Sequence, residues 1–327
     1  MTRWTTGRNL LLLTGGIICL LIGVALRHPL GWYESARADE HKAEEKKSAP
    51  LNADKIATAA GTKATTAPDG VVRIAFPRSD VPVTVDGLPL MPFAGLGSWA
   101  AFTPTPHGAM VMGDTVVFQD EVSPAMDAAF ARGLEVSALH NHFFFDEPKV
   151  YFMHIGGHGA PEKLAADVKA VWDAIKKVRA EHAAPAKSFG GMTPKAGSID
   201  AAAIEKIVGH KSESQKGVVK VTIGRDAAMH SVKFGASMGL TTWAAFSGSD
   251  DLAAVDGDFA MTAAEVQPVL RALRKADIHV VALHNHMIGE HPAYYFTHFW
   301  KKGPAKELAQ GFKDALEAQE NAGKEAH

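Results

Sequence analysis

Two identical tetrapeptides carry the side chains best suited to chemistry. The sequence Leu-His-Asn-His occupies residues 139–142 and again residues 283–286. Each copy ends a short apolar run typical of a β-strand, and residues two apart on a strand point to the same side. Two imidazoles on one side of a strand form half of a metal site. The histidines expected to face together are His140 with His142, and His284 with His286.

A third histidine follows each pair at the same spacing. His154 and His298 lie in the next predicted strand, beyond a turn that contains a proline. An antiparallel hairpin would bring each of them opposite its histidine pair, and the register decides whether all three share a face. Three imidazoles with a water molecule or a carboxylate suit Zn²⁺ first, and also Cu²⁺, Fe²⁺ or Mn²⁺. The sequence therefore predicts a divalent-metal site in each copy.

Carboxylates in the two turns are candidates for a fourth ligand or a general base. The first turn offers Asp146 and Glu147, and the second offers Glu290. A glutamate beside a metal-bound water can accept its proton. Glu147 and Glu290 are therefore the predicted catalytic residues if the protein is a metal-dependent hydrolase of the cell envelope.

Two further interpretations remain open at this stage. One is a protein that binds metal without turnover. The other is a non-enzymatic interaction module of the cell envelope with structural histidines that bind loop backbone through hydrogen bonds, because a duplication copies structural features as readily as functional ones.

Other repeated residues favour structural roles. Asp114 and Asp258 each follow a glycine, which predicts a tight turn. Glu121 and Glu265 are expected at helix starts, where a negative charge interacts favourably with the helix dipole. The repeated aromatic residues are expected in the core: Trp99, Phe102, Trp243 and Phe246.

The histidine segments belong to a duplicated domain. Residues 96–164 align with the second copy without a gap, at roughly 25 of about 69 positions identical, which is well above coincidence. Each copy predicts a short Ala-rich helix (residues 53–60 and 201–208), strands, a second helix, the histidine strand, its partner strand and a closing amphipathic helix. The predicted fold class is α+β: a tandem duplication in which each copy is a mostly antiparallel sheet with helices packed on one face.

Composition divides the chain into five predicted segments. They are a signal peptide or uncleaved anchor at residues 1–38, a charged tether at 39–51, the first copy at 52–182, a linker rich in Ala, Pro and Gly at 183–197, and the second copy at 198–327.

The first residues are typical of export. Arg3 and Arg8 precede an apolar stretch at residues 10–26, and Ala-Arg-Ala at residues 36–38 fits a cleavage site. Cys19 is the only cysteine and lies inside the apolar stretch, which does not fit a lipid attachment site. We therefore expect an exported protein, periplasmic or associated with the cell envelope. Its contact with the membrane would be limited to this N-terminal segment if the segment is retained.

Composition narrows the classes of function. Sixteen histidines against four tyrosines point to metal or proton chemistry. The formal charge of −2 and the absence of long basic runs argue against nucleic acid as a partner. The sequence contains no Gly-x-Ser-x-Gly, phosphate-loop or dinucleotide-binding motif. The identity of a small-molecule or envelope partner stays open.

The repeated motifs resemble the LppY/LpqO family. The resemblance rests on Ala-Leu-His-Asn-His at residues 138–142, Glu-Pro at 147–148, Tyr-Phe-Met-His-Ile at 151–155 and Gly-His-Gly at 157–159. That family groups exported bacterial proteins, some of them lipoproteins, without an established function. The resemblance implies export and two copies of one domain, and it implies no reaction. This chain departs from the lipoprotein members because it has no convincing lipid attachment motif.

Overall fold

The computed structural model describes residues 48–325 of the chain. The predicted signal or anchor segment, residues 1–38, and most of the predicted tether, residues 39–51, lie outside the described residues. Within residues 48–325, no helix combines the length and the apolar character that a membrane span requires.

The first copy is built from three α-helices and nine strands within the described residues. They are, in chain order, α1 Ala53–Ala60, β1 Ala64–Thr66, β2 Val72–Pro77, β3 Thr84–Val85, β4 Leu88–Pro89, β5 Gly97–Thr105, β6 Gly108–Phe118, α2 Val122–Ala131, β7 Glu135–His140, β8 Asp146–Glu147, β9 Val150–Gly159 and α3 Pro161–Glu181.

The second copy repeats this order with three α-helices and eight strands in the part of the chain that the structure describes. They are α4 Ala201–Val208, β10 Ser212–Gln215, β11 Val218–Gly224, β12 Ala227–Met229, β13 Val232–Phe234, β14 Thr241–Gly248, β15 Ala253–Met261, α5 Ala263–Lys275, β16 His279–His284, β17 Tyr295–Gly303 and α6 Ala305–Glu325.

One twelve-stranded antiparallel sheet runs through both copies. Its order is β1-β2-β5-β6-β9-β7-β16-β17-β15-β14-β11-β10. The first six strands come from the first copy and the last six from the second, in mirrored order. The predicted α+β tandem duplication is confirmed, and the two half-sheets are related by an approximate twofold axis.

The two half-sheets meet where the histidine strands end. Leu139 of β7 pairs with Leu283 of β16 in antiparallel register, and both side chains are buried. Because the two leucines occupy equivalent positions in the duplicated sequence, the approximate twofold axis passes between them. Pairing of these strands satisfies backbone groups that each copy alone would leave at an open sheet edge.

Helices cover one face of the sheet, and the alternation of each strand decides which aromatic residues reach them. Phe102 and Phe246 are fully buried on this face, as predicted. The prediction of a core position is wrong for Trp99 and Trp243, which are only partly buried. Each tryptophan lies three residues before its phenylalanine, so the period of two turns it to the opposite face.

The start of the middle helix follows its capping signals. Thr262 and Glu265 form a capping box at α5, each side chain accepting a hydrogen bond from the other residue's backbone N–H. Glu121 is the N-cap residue of α2, and its buried carboxylate accepts hydrogen bonds from Arg78 at 2.7 and 2.9 Å. The predicted placement of both glutamates at helix starts is confirmed.

Candidate metal centres

Each copy gathers its three predicted histidines on the open face of the sheet, opposite the helices. In the first copy the ring of His140 lies 5.1 Å from that of His142 and 5.2 Å from that of His154, measured between centroids. In the second copy the ring of His284 lies 5.1 Å from those of His286 and His298. The ring centroids of the two groups have nearly the same spacing.

A β-bulge in each histidine strand places the third histidine on the same face as the pair. In β7 the register with β9 shifts between Val136 and Ala138, so that His154 pairs with Ala138. Ala138 shares a face with His140, two residues on. Without the extra residue of the bulge, His154 would face the side opposite His140. The second copy has the same shift between Val280 and Ala282.

The nitrogen atoms of the second group are close to the spacing that a metal needs. One ring nitrogen from each of His284, His286 and His298 lies within 4.8 Å of the others. A tetrahedral ion with bonds of about 2.0–2.1 Å needs nitrogens roughly 3.4 Å apart. The three imidazoles would therefore have to move closer together to bind one ion.

Each group of histidines also includes an aspartate, for which the sequence predicts a turn. Asp114 lies inside β6 and pairs directly with His154, and Asp258 lies inside β15 and pairs directly with His298. A carboxylate oxygen of Asp114 lies 4.0 Å from Nε2 of His154, and one of Asp258 lies 3.7 Å from Nε2 of His286. The predicted tight turns are wrong, and both aspartates belong to the candidate sites.

The glycine before each aspartate has a packing role within the strand. A Cβ atom at Gly257 would lie 2.2 Å from Cζ of Phe299 and 2.3 Å from the carbonyl oxygen of Trp243. At Gly113 it would lie 2.9 Å from the carbonyl oxygen of Trp99. The Gly-Asp sequence therefore marks a close approach between strands, which local turn preferences do not distinguish from a turn.

Each aspartate keeps an unsatisfied oxygen in a buried position. Asp114 is 8% exposed and Asp258 is 3% exposed, and Oδ1 of each has no hydrogen-bond partner among the described residues. Burial raises the pKa of both carboxyl groups, while the neighbouring histidines act in the opposite direction. A buried acceptor without a partner costs about 1–3 kcal/mol, so this oxygen needs a donor or a cation.

One histidine of each group has a lowered pKa, which favours its neutral form. Burial lowers the pKa of His142 and of His286, and the charges that neighbouring histidines can acquire lower it further, while Asp114 acts in the opposite direction on His142. The two rings stack on Phe152 and Phe296, with centroids 3.3 and 3.4 Å apart. Neutral imidazole is the form that binds metal, and the stacked phenylalanine limits its rotation.

Backbone carbonyls contact the nitrogen that would face away from a metal. Nδ1 lies 3.3 Å from the carbonyl oxygen of Asn141 for His140, of Asn285 for His284, and of Gly257 for His298. With a proton on Nδ1, each ring donates to this carbonyl and keeps Nε2 as the metal-binding atom.

The asparagine between the histidines shapes the loop that follows. Nδ2 of Asn141 donates to the carbonyl of Phe143 at 2.9 Å, and Nδ2 of Asn285 donates to that of Met287 at 2.8 Å. These bonds turn the chain directly after the second histidine of each pair. The Leu-His-Asn-His sequence thus combines a buried leucine, two potential ligands and the residue that bends the loop between strands.

Comparison with known proteins identifies the duplicated unit. Residues 54–174 and 202–318 each match the profile of the family described as Domain of Unknown Function (DUF1259). The chain belongs to this family, in two copies. No curated protein matches the chain.

Two solved structures share a weak similarity with the chain. The trimeric bacterial microcompartment shell protein PduB is 10% identical, with 80% of this chain and 92% of that chain covered, at a TM-score of 0.21. EtuB from Clostridium kluyveri is 12% identical, with the same coverage, at a TM-score of 0.20. Similarity at this level carries no argument about either DUF1259 copy.

The acidic residues predicted in the turns share no hydrogen bond with the histidine groups in the part of the chain that the structure describes. Glu290 is 4% exposed and accepts a hydrogen bond from the backbone N–H of Tyr294 at 2.8 Å. Asp146 is its counterpart in the first DUF1259 copy and accepts from the N–H of Val150 at 2.7 Å. Glu147 is exposed and belongs to β8, where it pairs with Thr84. These placements give no support to Glu147 or Glu290 as general bases.

Proposed function

We propose that each DUF1259 copy binds one divalent metal ion, with Zn²⁺ as the preferred ion. The ligands are three imidazoles and one aspartate: His140, His142, His154 and Asp114 in the first copy, and His284, His286, His298 and Asp258 in the second. The unpartnered, buried carboxylate oxygen beside three histidines carries the proposal, because it recurs in both copies. A cation between these groups would satisfy that oxygen and the imidazole nitrogens together.

The chemistry of this donor set favours a transition metal. Ca²⁺ and Mg²⁺ prefer oxygen ligands, whereas imidazole suits zinc, copper, iron and nickel. One carboxylate and three neutral imidazoles leave a net charge of about +1 on a bound divalent ion. Such a centre retains Lewis acidity, and four protein ligands fit the tetrahedral preference of Zn²⁺. Cu²⁺, Fe²⁺ and Mn²⁺ remain competitors, so the preference for zinc is part of the proposal.

The unpartnered aspartates also separate this proposal from purely structural histidines. Histidines that only stabilise a loop would be expected to satisfy the polar atoms around them, since buried polar groups in folded proteins are nearly always hydrogen-bonded. Here the histidines surround carboxylate oxygens that no donor among the described residues reaches.

Metal analysis of purified protein tests the proposal. The chain, prepared without chelators and loaded with Zn²⁺, is expected to retain about two ions after dialysis. Replacing His140 and His142 together with alanine should remove about one, and replacing His284 and His286 should remove the other. The control is His107→Ala, an exposed histidine in a turn. Metal content no higher than background, with lowered thermal stability in both double variants, would establish structural histidines instead.

We further propose that the protein acts outside the cytoplasm, as the resemblance to the LppY/LpqO family implies. The support is the arginine-flanked apolar stretch at residues 10–26 and the Ala-Arg-Ala sequence at residues 36–38. N-terminal sequencing of protein recovered from the cell envelope should begin near residue 39. A chain that still begins at Met1 would indicate a retained anchor, and recovery from the cytoplasm alone would contradict export.

A further inference from the structure

A groove of about 890 Å³ lies beside the second histidine group. One side is the open face of the sheet, where β17 contributes His298, Trp300 and Lys302 and β15 contributes Asp256. The other side is the linker between the copies, through Phe189 and residues 193–197. The groove therefore begins at a proposed metal ligand and continues along the strand that carries it.

The residues of the groove distinguish the two copies. The strand register makes Met112, Gly156 and His158 the first-copy equivalents of Asp256, Trp300 and Lys302. Met112 is 58% exposed on that face. The histidine groups are the same in both copies, whereas the surface next to them is not. Binding of an additional ligand is thus expected at the second site only.

Three contacts hold the linker in place over the sheet. The ring of Phe189 stacks on that of His279 with centroids 4.0 Å apart. Nζ of Lys302 donates to the carbonyl oxygen of Gly190. Gly197 packs so closely on Gly248 that a Cβ atom there would lie 2.9 Å from the carbonyl oxygen. These contacts make the groove a preformed site, as most small-molecule sites are.

The lining of the groove is aromatic and positively charged. Trp300 and Phe189 supply flat apolar surfaces. Lys195, Lys216 and Lys302 line it against the single carboxylate of Asp256. Lys220 also lies near Asp256 and lowers the pKa of its carboxyl group, although burial has the larger effect and raises it. The surplus of lysines, together with the metal ion proposed at one end, favours an anionic ligand.

The spacing along β17 sets the length of that ligand. His298, Trp300 and Lys302 point to the same side and are two residues apart, so successive positions are separated by about 6.8 Å. If the carboxylate group of a ligand binds the metal, the first rings of that ligand would therefore lie beside Trp300. The groove continues for a similar length to Lys302, which accommodates a molecule of two or more rings.

We propose that this groove binds an aromatic carboxylate, with its carboxylate on the metal of the second copy and its ring system against Trp300. The proposal rests on the proposed metal site, because the carboxylate would be an added ligand of that ion. The ion would then have to expand from the four protein ligands of the proposed site to five, which zinc does at some centres. Phe189 of the linker contacts the ring system from the other side, and the lysines supply the favourable potential.

Calorimetric titration of the zinc-loaded full chain with 2-naphthoate tests the proposal, after the metal content of the same sample is measured. One molecule is expected to bind per chain. Trp300→Gly, which introduces the first-copy residue, should weaken binding about tenfold or more, because stacking and apolar contact are lost. Met112→Ala, a change at an exposed position next to the first histidine group, should leave binding unchanged. The neutral analogue 2-naphthalenemethanol should also bind about tenfold more weakly.

The possible failures point to different proposals. Zinc bound at both sites without 2-naphthoate binding, or equal affinities for Trp300→Gly and the wild type, would overturn the groove proposal and leave the metal sites standing. Absence of zinc would overturn both. If Trp300→Gly does not fold, Lys216→Glu is the second variant, because Lys216 is exposed in a turn. This variant should weaken binding at low salt by a few-fold, and an unchanged affinity would overturn the proposal.

Discussion

Asp258 has one carboxylate oxygen 3.7 Å from Nε2 of His286, while its other oxygen is buried without a hydrogen-bond partner. In the first copy, Asp114 likewise has a buried carboxylate oxygen without a hydrogen-bond partner, and this oxygen lies 4.0 Å from Nε2 of His154. In the absence of a cation these groups destabilise the fold, because burial penalises the charged carboxylate. In the proposed metal centres a bound cation would make these carboxylates its ligands. The same side chain is thus expected to have opposite effects on stability in the two states.

The effect of Asp258→Asn on the melting temperature should change sign when zinc is added. In chelator-treated protein the amide removes a buried charge, so the melting temperature should rise or stay unchanged. With zinc, loss of an anionic ligand should lower the affinity of one site by about tenfold or more and lower the melting temperature relative to the wild type. Thermal unfolding with and without zinc measures both. Asp251→Asn, at an exposed position, is the control, and a decrease of the same size in both states would contradict the ligand role.

Zinc affinity should fall as the pH drops through about 6.5, because each imidazole must be neutral to bind. His142 and His286 have pKa values below the ordinary value through burial, so they stay neutral to lower pH than free histidine. Competition with a chromophoric chelator across this pH range measures the affinity. An affinity independent of pH between about 7.5 and about 5.5 would exclude histidine ligation.

The duplication and the histidine groups could be predicted from the sequence because their signals are local. The alternation of each strand fixes the shared direction of His140 and His142, and the gap-free repeat transfers that prediction to the second copy. Whether His154 would join them depended on the bulge before Ala138, which no local pattern marks. The structure provides this register.

Non-local contacts account for what the sequence did not predict. A Gly-Asp pair taken alone indicates a turn. The close approach of the Trp243 carbonyl oxygen, which requires a glycine at position 257 inside the strand, is a contact with another strand and is not visible in the local sequence. The pairing of Leu139 with Leu283 joins the two copies at the ends of β7 and β16. The local sequence of these strand ends does not indicate which strand they pair with. Chain proximity predicts the turn glutamates as catalytic residues, and the hydrogen bond that Glu290 accepts from the backbone of its own turn gives this prediction no support.

Gly257→Ala should destabilise the protein strongly, by about 1–3 kcal/mol or more, because the new methyl group overlaps Phe299 and the backbone of Trp243. Gly303→Ala in the neighbouring strand β17 is the control. There a Cβ atom would lie 3.7 Å from its nearest neighbour, which is ordinary contact. Urea denaturation of both variants gives the two free energies of unfolding. Equal values would contradict the close approach of the strands at Gly257.

His279 should make the metal-free protein less stable in acid. Its Nδ1 lies 2.9 Å from Oγ of Ser123 across the junction of the copies, and burial, followed by Arg274, lowers its pKa. Below about pH 6.5 the unfolded chain takes up this proton more readily than the folded one, so the free energy of unfolding falls as the pH drops from 6.5 toward the folded pKa. His279→Asn should reduce the difference in melting temperature between about pH 8 and about pH 5.5. An unchanged difference would show that His279 does not titrate in this way.

Anomalous X-ray scattering from zinc-loaded crystals at the zinc absorption edge tests the metal proposal most directly. The account predicts two anomalous peaks per chain. One lies between Asp114 and the three histidines of the first copy, and the other lies between Asp258 and those of the second, with Nε2 atoms at about 2.0–2.1 Å. Anomalous peaks only at other positions, or none in protein that zinc solution has saturated, would contradict the claim that these side chains form metal centres.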